Sequence, residues 1–200
     1  GVITAEKEAI LIDSGINDDF AQELIEILEA NDLILKGIIN THSHIDHCGG
    51  NNYLQSKTDA IVYASRIEKS IMETTELVPL YLFSGASPIG DLKNKNLVPK
   101  PSKIDIEHIV EDQEIINFNG IELKIIALPG HSPNQIGVVV DDILFCGDAI
   151  IQRKVFQKGR IPYHTDINQQ KESLKFLQDS NYSFYIPSHS AVRRDLSEII

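Results

Sequence analysis

Apolar residues in the first third of the chain form short runs separated by amphipathic stretches. The runs are rich in β-branched side chains and predict three buried strands, at 8–13, 34–40 and 60–63. A helix is predicted from about Asp18 to Ala30, because its apolar residues recur at helical spacing: Phe20, Leu24, Ile27 and Leu28. Two shorter helices are predicted near 50–57 and near 65–73.

The last part of the chain shows a different pattern, in which strands follow one another through tight turns. Asn119-Gly120 separates the apolar runs Ile115–Phe118 and Ile121–Ala127 and is a strong signal for a two-residue hairpin. A second strand pair, Ile136–Val140 and Ile143–Cys146, is joined at Asp141-Asp142. The remaining predicted elements are a helix at 166–179 with Leu174 and Leu177 on its core side, a strand at 184–186, and a truncated final helix at 194–200.

Charge and composition narrow the functional classes. The 200 residues fit a single domain over 1–200 with a sizeable core. A net charge of −11 argues against a nucleic-acid partner, because phosphate binding needs a basic face. No apolar run reaches the roughly 20 residues needed to cross a membrane. The two cysteines have no framework spacing, which indicates a reduced, cytoplasmic protein. The chain begins with Gly rather than Met, so the sequence leaves open whether a signal peptide was removed.

The strongest chemical signal is the segment Thr41–Gly50, which reads Thr-His-Ser-His-Ile-Asp-His-Cys-Gly-Gly. It places three histidines and one aspartate within six positions: His42, His44, Asp46 and His47. The segment follows a predicted strand, and α/β folds place their chemistry at such strand ends. Imidazole and carboxylate are the ligand set of zinc and similar transition metals.

Three further ligand-type residues lie just past the ends of predicted strands: His131, Asp148 and His189. If these strands belong to packed sheets, all seven side chains can meet at one edge. Seven ligands match two metal ions, with three terminal ligands each and one carboxylate between them. We therefore expect two divalent metal ions, with zinc favoured over iron or manganese.

These motifs resemble the metallo-β-lactamase superfamily over nearly the whole chain. Residues 42–47 resemble its His-x-His-x-Asp-His signature, and its other motifs are matched in order by Asp13-Ser14-Gly15, Pro129–Pro133, Gly147-Asp148 and Ser188-His189. The resemblance implies an α/β fold, a four-layer αββα sandwich with metals at one edge and a glyoxalase II-like metal site. It also implies a ligand set in which one metal is held by His42, His44 and His131, the other by Asp46, His47 and His189, and both by Asp148.

Two departures from the superfamily pattern are visible at the ends of the chain. Relatives usually carry an early strand with an Asn-x-Tyr-like motif, of which only Gly1–Thr4 remain, so the first sheet edge is expected to be incomplete. The chain also stops eleven residues after His189, where many relatives carry further helices.

The ligand set predicts a hydrolase in which a metal-bridging hydroxide, oriented by Asp46 and Asp148, attacks an electrophilic centre. β-Lactamases that bind their second zinc through a cysteine have that Cys at the position matching Asp148, so the aspartate argues against a β-lactamase. Flavodiiron oxidoreductases have Glu at the position matching His44, so the histidine argues against that class. The acidic, short chain argues against the RNA-processing branches and against glyoxalase II, which grips glutathione with an added helical domain. The remaining prediction is hydrolysis of a small-molecule ester, thioester or lactone. The alternative is a mononuclear iron dioxygenase that acts on a persulfide; a non-catalytic metal module is the weakest interpretation.

Specificity is expected from two irregular stretches, because the metal edge is common to the superfamily. Residues 74–103 are interrupted by four prolines and contain the apolar run 80–83, which serves either as core packing or as a substrate wall. Residues 149–165 carry basic side chains and a histidine: Arg153, Lys154, Lys158, Arg160 and His164. Together they suit a small-molecule substrate with an acyl part and an anionic end. The sequence leaves the oligomeric state open, a homodimer included.

Several other residues have ordinary structural interpretations. His108 alternates with apolar residues and is expected on the solvent face of a strand, while His164 is expected at the surface or behind a ligand rather than on the substrate. Cys48 and Cys146 are expected to be small buried side chains. Tyr53 and Tyr63 are expected in the core.

Overall fold

The computed structural model describes residues 1–82, 107–151 and 162–197. Contacts within the chain define two compact units, Gly1–Ile109 and Val110–Ile200, which we describe separately. The prediction of one domain over 1–200 concerns how these units combine, and it stays a prediction.

The first unit contains a five-stranded sheet with the strands in sequence order. The strands are β1 (Val2–Ala5), β2 (Glu8–Ile12), β3 (Ile34–Ile39), β4 (Ile61–Ser65) and β5 (His108–Val110), and the boundary between the units falls within β5. β1 pairs antiparallel with β2, whereas β2, β3 and β4 run parallel. The carboxyl ends of β2 and β3 are therefore neighbours, in a register that pairs Ile12 with Ile39.

Strand β1 corrects the expectation of an incomplete sheet edge. Ile3 and Ala5 are buried and alternate with exposed Val2 and Thr4, as in a strand with one covered face. The turn into β2 places Glu6 at a φ of 55°, so a single residue in the left-handed region reverses the chain. The sequence signal was too short to be recognised.

In the described part of this unit, five helices accompany the sheet: α1 (Asp18–Ala30), α2 (Ile45–Cys48), α3 (Asn51–Lys57), α4 (Arg66–Glu73) and α5 (Leu77–Leu82). α1 has its predicted bounds, and the side chain of Asn17 caps it by accepting a hydrogen bond from Phe20 N (2.9 Å). Its apolar face differs from the one predicted. The core side consists of Ala21, Leu24, Ile25 and Leu28, whereas Phe20 and Ile27 are 44% and 57% exposed.

The second unit contains another five-stranded sheet, with the order β10-β9-β8-β7-β6. Its strands are β6 (Ile115–Phe118), β7 (Ile121–Ala127), β8 (Ile136–Val140), β9 (Ile143–Gly147) and β10 (Phe184–Pro187). Each successive pair from β6 to β9 is antiparallel, whereas β10 pairs with β9 in parallel. The Asn119-Gly120 hairpin is confirmed, with φ values of 49° and 87° at its two turn residues. Strands β7, β9 and β10 thus all end at the same edge of this sheet.

Helix α6 (Ile167–Asp179) belongs to the second unit. Asp166 caps it by accepting hydrogen bonds from Asn168 N (2.8 Å) and Gln169 N (3.1 Å). Its core side is as predicted, because Leu177 is buried and Leu174 packs against the same cluster.

The predicted final helix is wrong for residues 194–197, and residues 198–200 lie outside the described part of the chain. Asp195 instead accepts hydrogen bonds from Ser197 N (2.8 Å) and Ser197 Oγ (2.7 Å). Such local side-chain bonds give the backbone an alternative to helical pairing. In the part of the chain that the structure describes, no helix is both long enough and apolar enough to cross a membrane.

Candidate metal centre

The first ligand group lies directly after β3 in the first unit. Asp46 and His47 belong to the short helix α2 rather than to a loop, which refines the prediction. Hydrogen bonds from Cys48 N to His44 O (3.1 Å) and from Gly49 N to Ile45 O (2.7 Å) form this single turn. The turn brings Asp46 and His47 back toward the histidines that precede it.

The four predicted ligands of this group lie together. His42 Nε2 is 2.9 Å from His44 Nδ1, and the ring centroids of His42 and His47 are 4.0 Å apart. His47 Nε2 lies 3.7 Å from Asp46 Oδ2. The rings of His42 and His47 are fully buried, while the Asp46 side chain is 38% exposed. Imidazole and carboxylate donors at such separations form a set that suits a divalent metal.

Asp13 holds this group from the end of the neighbouring strand. Its Oδ1 accepts a hydrogen bond from Thr41 N (2.8 Å), and its Oδ2 accepts from Thr41 Oγ1 (2.9 Å) and pairs with His47 Nδ1 (2.8 Å). The pairing makes Nδ1 the protonated nitrogen of His47 and places the lone pair on Nε2. Metal-ligating histidines characteristically donate their other ring N–H to a carboxylate or carbonyl in this way.

The backbone of the first group is also fixed by its neighbours. The carbonyl of His47 accepts hydrogen bonds from Ser14 N (2.7 Å) and from Asn40 Nδ2 (3.0 Å). Asn51 orients Asn40 by donating to its Oδ1 (2.6 Å). Gly49 permits a close approach, because a Cβ there would overlap the carbonyl of Ile16. These protein contacts therefore fix the backbone of the group.

The second ligand group lies at the shared edge of β7, β9 and β10 in the second unit. Asp148 Oδ2 is 3.4 Å from His131 Nε2 and 3.5 Å from His189 Nε2, so one carboxylate oxygen joins both histidines. His131 Nδ1 lies 3.1 Å from the carbonyl oxygen of Tyr163. His131 thus resembles His47, whose Nδ1 also faces a protein oxygen atom. His131 is buried, whereas the His189 side chain is 56% exposed.

His164 lies behind a predicted ligand, as expected from the sequence. Its ring meets that of His131 edge to face, with centroids 6.0 Å apart. Burial lowers the pKa of His164, and the side chain of Gln170 partly offsets this.

The remaining sequence expectations have mixed outcomes. Cys48 and Cys146 are buried free thiols as predicted; burial raises the pKa of Cys48 and raises that of Cys146 to about 12. His108 is an exposed strand residue as predicted, with its ring 5.2 Å from that of Tyr63. Tyr53 is half-buried and packs against the core of the first unit as predicted, whereas Tyr63 is half-buried and lies beside His108.

The proposed specificity stretches can be described only in part. Leu80 is 59% exposed, so it does not pack on the core as one interpretation required. Phe83 lies outside the described residues, as do the four basic residues predicted to meet the substrate: Arg153, Lys154, Lys158 and Arg160.

Sequence reasoning missed the residues that support the ligands. The motif Asp13-Ser14-Gly15 did not by itself predict that Asp13 supports a ligand. The position of Asp13 at the end of a predicted strand, like that of the ligands, is the signal that could have predicted it. Gln135 is fully buried and accepts a hydrogen bond from Asp148 N through its Oε1 (3.3 Å). Glu68, also fully buried, accepts from Ser43 N (2.9 Å). No spacing rule connects Gln135 or Glu68 to the ligands, because different elements bring them there.

Comparison with known proteins agrees with the motifs. The sequence profile described as the metallo-beta-lactamase superfamily matches residues 1–189. Hydroxyacylglutathione hydrolase GloC of Haemophilus influenzae is 28% identical over 180 residues, covering 87% of this chain and 77% of that protein. Hydroxyacylglutathione hydrolase 1 of Vibrio vulnificus is 26% identical over 184 residues, covering 92% and 59%. The superfamily predicted from the motifs is confirmed.

A solved structure shows the same fold. The metallo-beta-lactamase from Pontibacter korlensis matches with a TM-score of 0.71 at 19% identity, covering 98% of this chain and 80% of that one. The predicted α/β fold class of the metallo-β-lactamase type is confirmed. The chain spans about half the length of several other hydroxyacylglutathione hydrolases.

Proposed function

The chain belongs to the metallo-β-lactamase superfamily, and from that premise we propose that it is a metal-dependent hydrolase with two divalent metal ions. The observation that carries the proposal occurs once in each unit. His47 and His131 each have Nδ1 against a protein oxygen, that of Asp13 or that of the Tyr163 carbonyl, which leaves Nε2 as the ligating atom. The order of the superfamily motifs supports the full ligand set predicted from the sequence.

The chemistry divides between the metals and the protein. When bound, the two metals supply a hydroxide nucleophile near neutral pH and neutralise negative charge that develops on the substrate. Asp46 and Asp148 are the carboxylates that orient the nucleophile. Asp13 keeps His47 in one tautomer, and the Tyr163 carbonyl does the same for His131. The two cysteines take no part as nucleophiles, because buried thiols with raised pKa values hold little thiolate at neutral pH.

For the substrate, we propose a small-molecule thioester. The relatives named above are hydroxyacylglutathione hydrolases, whose name specifies an acyl group carried by glutathione. This supports a thioester over the lactone and simple ester that the sequence also allowed. The comparisons do not favour the iron dioxygenase alternative, since the named relatives are hydrolases. A net charge of −11 supports a small-molecule substrate rather than a nucleic acid.

The test combines metal analysis with a substrate panel. Protein purified without chelator is analysed for zinc, iron and manganese, and then assayed with thioester, lactone and phosphodiester substrates; Asp148→Ala serves as the inactive control. We expect two equivalents of metal and turnover concentrated on thioesters. One equivalent of iron with oxygen consumption, or metal-loaded protein that hydrolyses none of the panel, would contradict the proposal.

A further inference from the structure

Ser43 lies between two predicted ligands, His42 and His44, and other elements hold both of its backbone groups. Its N–H donates to Glu68 Oε2 (2.9 Å), and its carbonyl accepts a hydrogen bond from Cys48 Sγ (3.4 Å). Ser43 is 2% exposed and Glu68 is 0% exposed. Hydrogen bonds to other elements therefore fix both backbone groups of the residue between the two histidines.

Glu68 reaches Ser43 from a different part of the unit. It lies in the first turn of α4, which follows β4, and buried Ile71 and Met72 anchor the same helix. In the sequence, Ser65-Arg66-Ile67-Glu68 matches the capping-box pattern, in which the glutamate returns to the start of its own helix. In the structure, Oε2 of Glu68 contacts the ligand segment, 25 residues earlier in the chain.

The Glu68 side chain is fully buried, which is energetically unfavourable for an acidic group. A buried carboxyl group is unfavourable unless hydrogen bonds replace those it made with water. The N–H of Ser43 provides one such bond to Glu68 Oε2. This bond couples the position of Glu68 to the geometry of the backbone between His42 and His44.

We propose that Glu68 is a positioning residue for His42 and His44, acting through the N–H of Ser43. Its carboxylate fixes the peptide between the two histidines, so that metal binding need not order this segment. The proposal rests on the proposed function only in taking these histidines as metal ligands. It assigns to Glu68 no contact with substrate or metal.

Two conservative variants separate position from charge. Glu68→Gln keeps the length of the side chain and an oxygen acceptor but removes the carboxylate. Glu68→Asp keeps the carboxylate on a side chain that is shorter by one methylene. Glu73→Asp is the matched control, because Glu73 is an exposed residue of the same helix that pairs with Lys69 (2.9 Å). Zinc affinity is measured by competition with a chromophoric chelator. Thermal unfolding of the metal-free protein is measured alongside.

We expect Glu68→Asp to bind zinc about 10- to 100-fold more weakly, the range typical for partners of metal ligands. Glu68→Gln should retain most of the affinity, and Glu73→Asp all of it, with metal-free unfolding temperatures close to the parent's. Unchanged affinity in Glu68→Asp would overturn the proposal, as would an equal loss in both Glu68 variants. A loss that merely follows reduced metal-free stability would also overturn it, since that indicates a structural role alone.

The measurement separates this inference from the proposed function. A parent protein that binds zinc but hydrolyses no substrate refutes the hydrolase, while the ranking of the Glu68 variants still decides the positioning role. A parent protein that binds none of zinc, iron and manganese overturns both.

Discussion

The two ligand groups are built in opposite ways. In the first unit, four candidate ligands come from six consecutive positions, and partners from several elements hold their backbone and rings: Asp13, Asn40, Asn51 and Glu68. In the second unit, three candidate ligands follow three separate strand ends, and the sheet register brings His131, Asp148 and His189 together. The first group is local in sequence and includes two fully buried histidines, whereas the second is distant in sequence and includes one exposed histidine.

The difference shows where each group obtains its order. The first is pre-organised by hydrogen bonds that exist without metal, so a change there should affect both the apo-protein and metal binding. The second is organised by strands β7, β9 and β10, and its exposed member, His189, has little packing to lose.

Removing one ligand from each group should separate metal binding from stability. We expect His42→Ala and His189→Ala each to weaken metal binding by more than about 100-fold, beyond the range typical for partners of ligands. Only His42→Ala should also destabilise the apo-protein, by about 1–3 kcal/mol, because its ring is fully buried against His44 and His47. Metal titration and urea unfolding of both variants would test this. Equal apo-protein stabilities would contradict the contrast.

Asp13→Asn should weaken metal binding about 10- to 100-fold with little change in the fold. Asn tolerates the left-handed φ of 62° at this position, but it cannot offer His47 and Thr41 two carboxylate oxygens. The matched control is Asp32→Asn, the same change at an exposed residue with a φ of 53°. Chelator competition on both proteins is the measurement. If Asp13→Asn bound metal like Asp32→Asn, the role of Asp13 in fixing the His47 tautomer would be wrong.

Gly130, next to His131, tests how far the second group depends on close packing. Its φ is 128°, and a Cβ would overlap the backbone of Gln170 in α6. Gly120, in the β6–β7 hairpin, also has a positive φ of 87°, but nothing lies near the space a Cβ would take. We expect Gly120→Ala to cost about 1–2 kcal/mol through backbone strain. Gly130→Ala should cost about 1–3 kcal/mol more through overpacking. Similar urea midpoints for the two variants would show that the His131 loop adjusts freely.

Much of this molecule follows from patterns within a few residues of each other. The bounds of α1, the Asn119-Gly120 hairpin and the ligand run at 42–47 were all predicted, because caps, turns and clustered ligands are local signals. Strand β1 was missed, since four alternating residues near a chain end give too weak a period. The final helix was wrong because Asp195 bonds to Ser197 instead of continuing helical pairing. Phe20 and Ile27 were predicted on the core side of α1 but are exposed. Helical spacing alone does not say which of two adjacent rows of apolar side chains faces the core.

Residue type and spacing were enough to predict the candidate metal ligands, because imidazole and carboxylate groups at strand ends are identifiable from the sequence. The tertiary structure alone decided what supports them. Parallel pairing of β2 and β3 puts Asp13 beside Thr41 and His47, and the packing of α4 delivers Glu68 to Ser43 from 25 positions away. The physical reason is that a hydrogen bond or a buried charge depends on distance in space, which residue spacing fixes only within a helix, a strand or a turn.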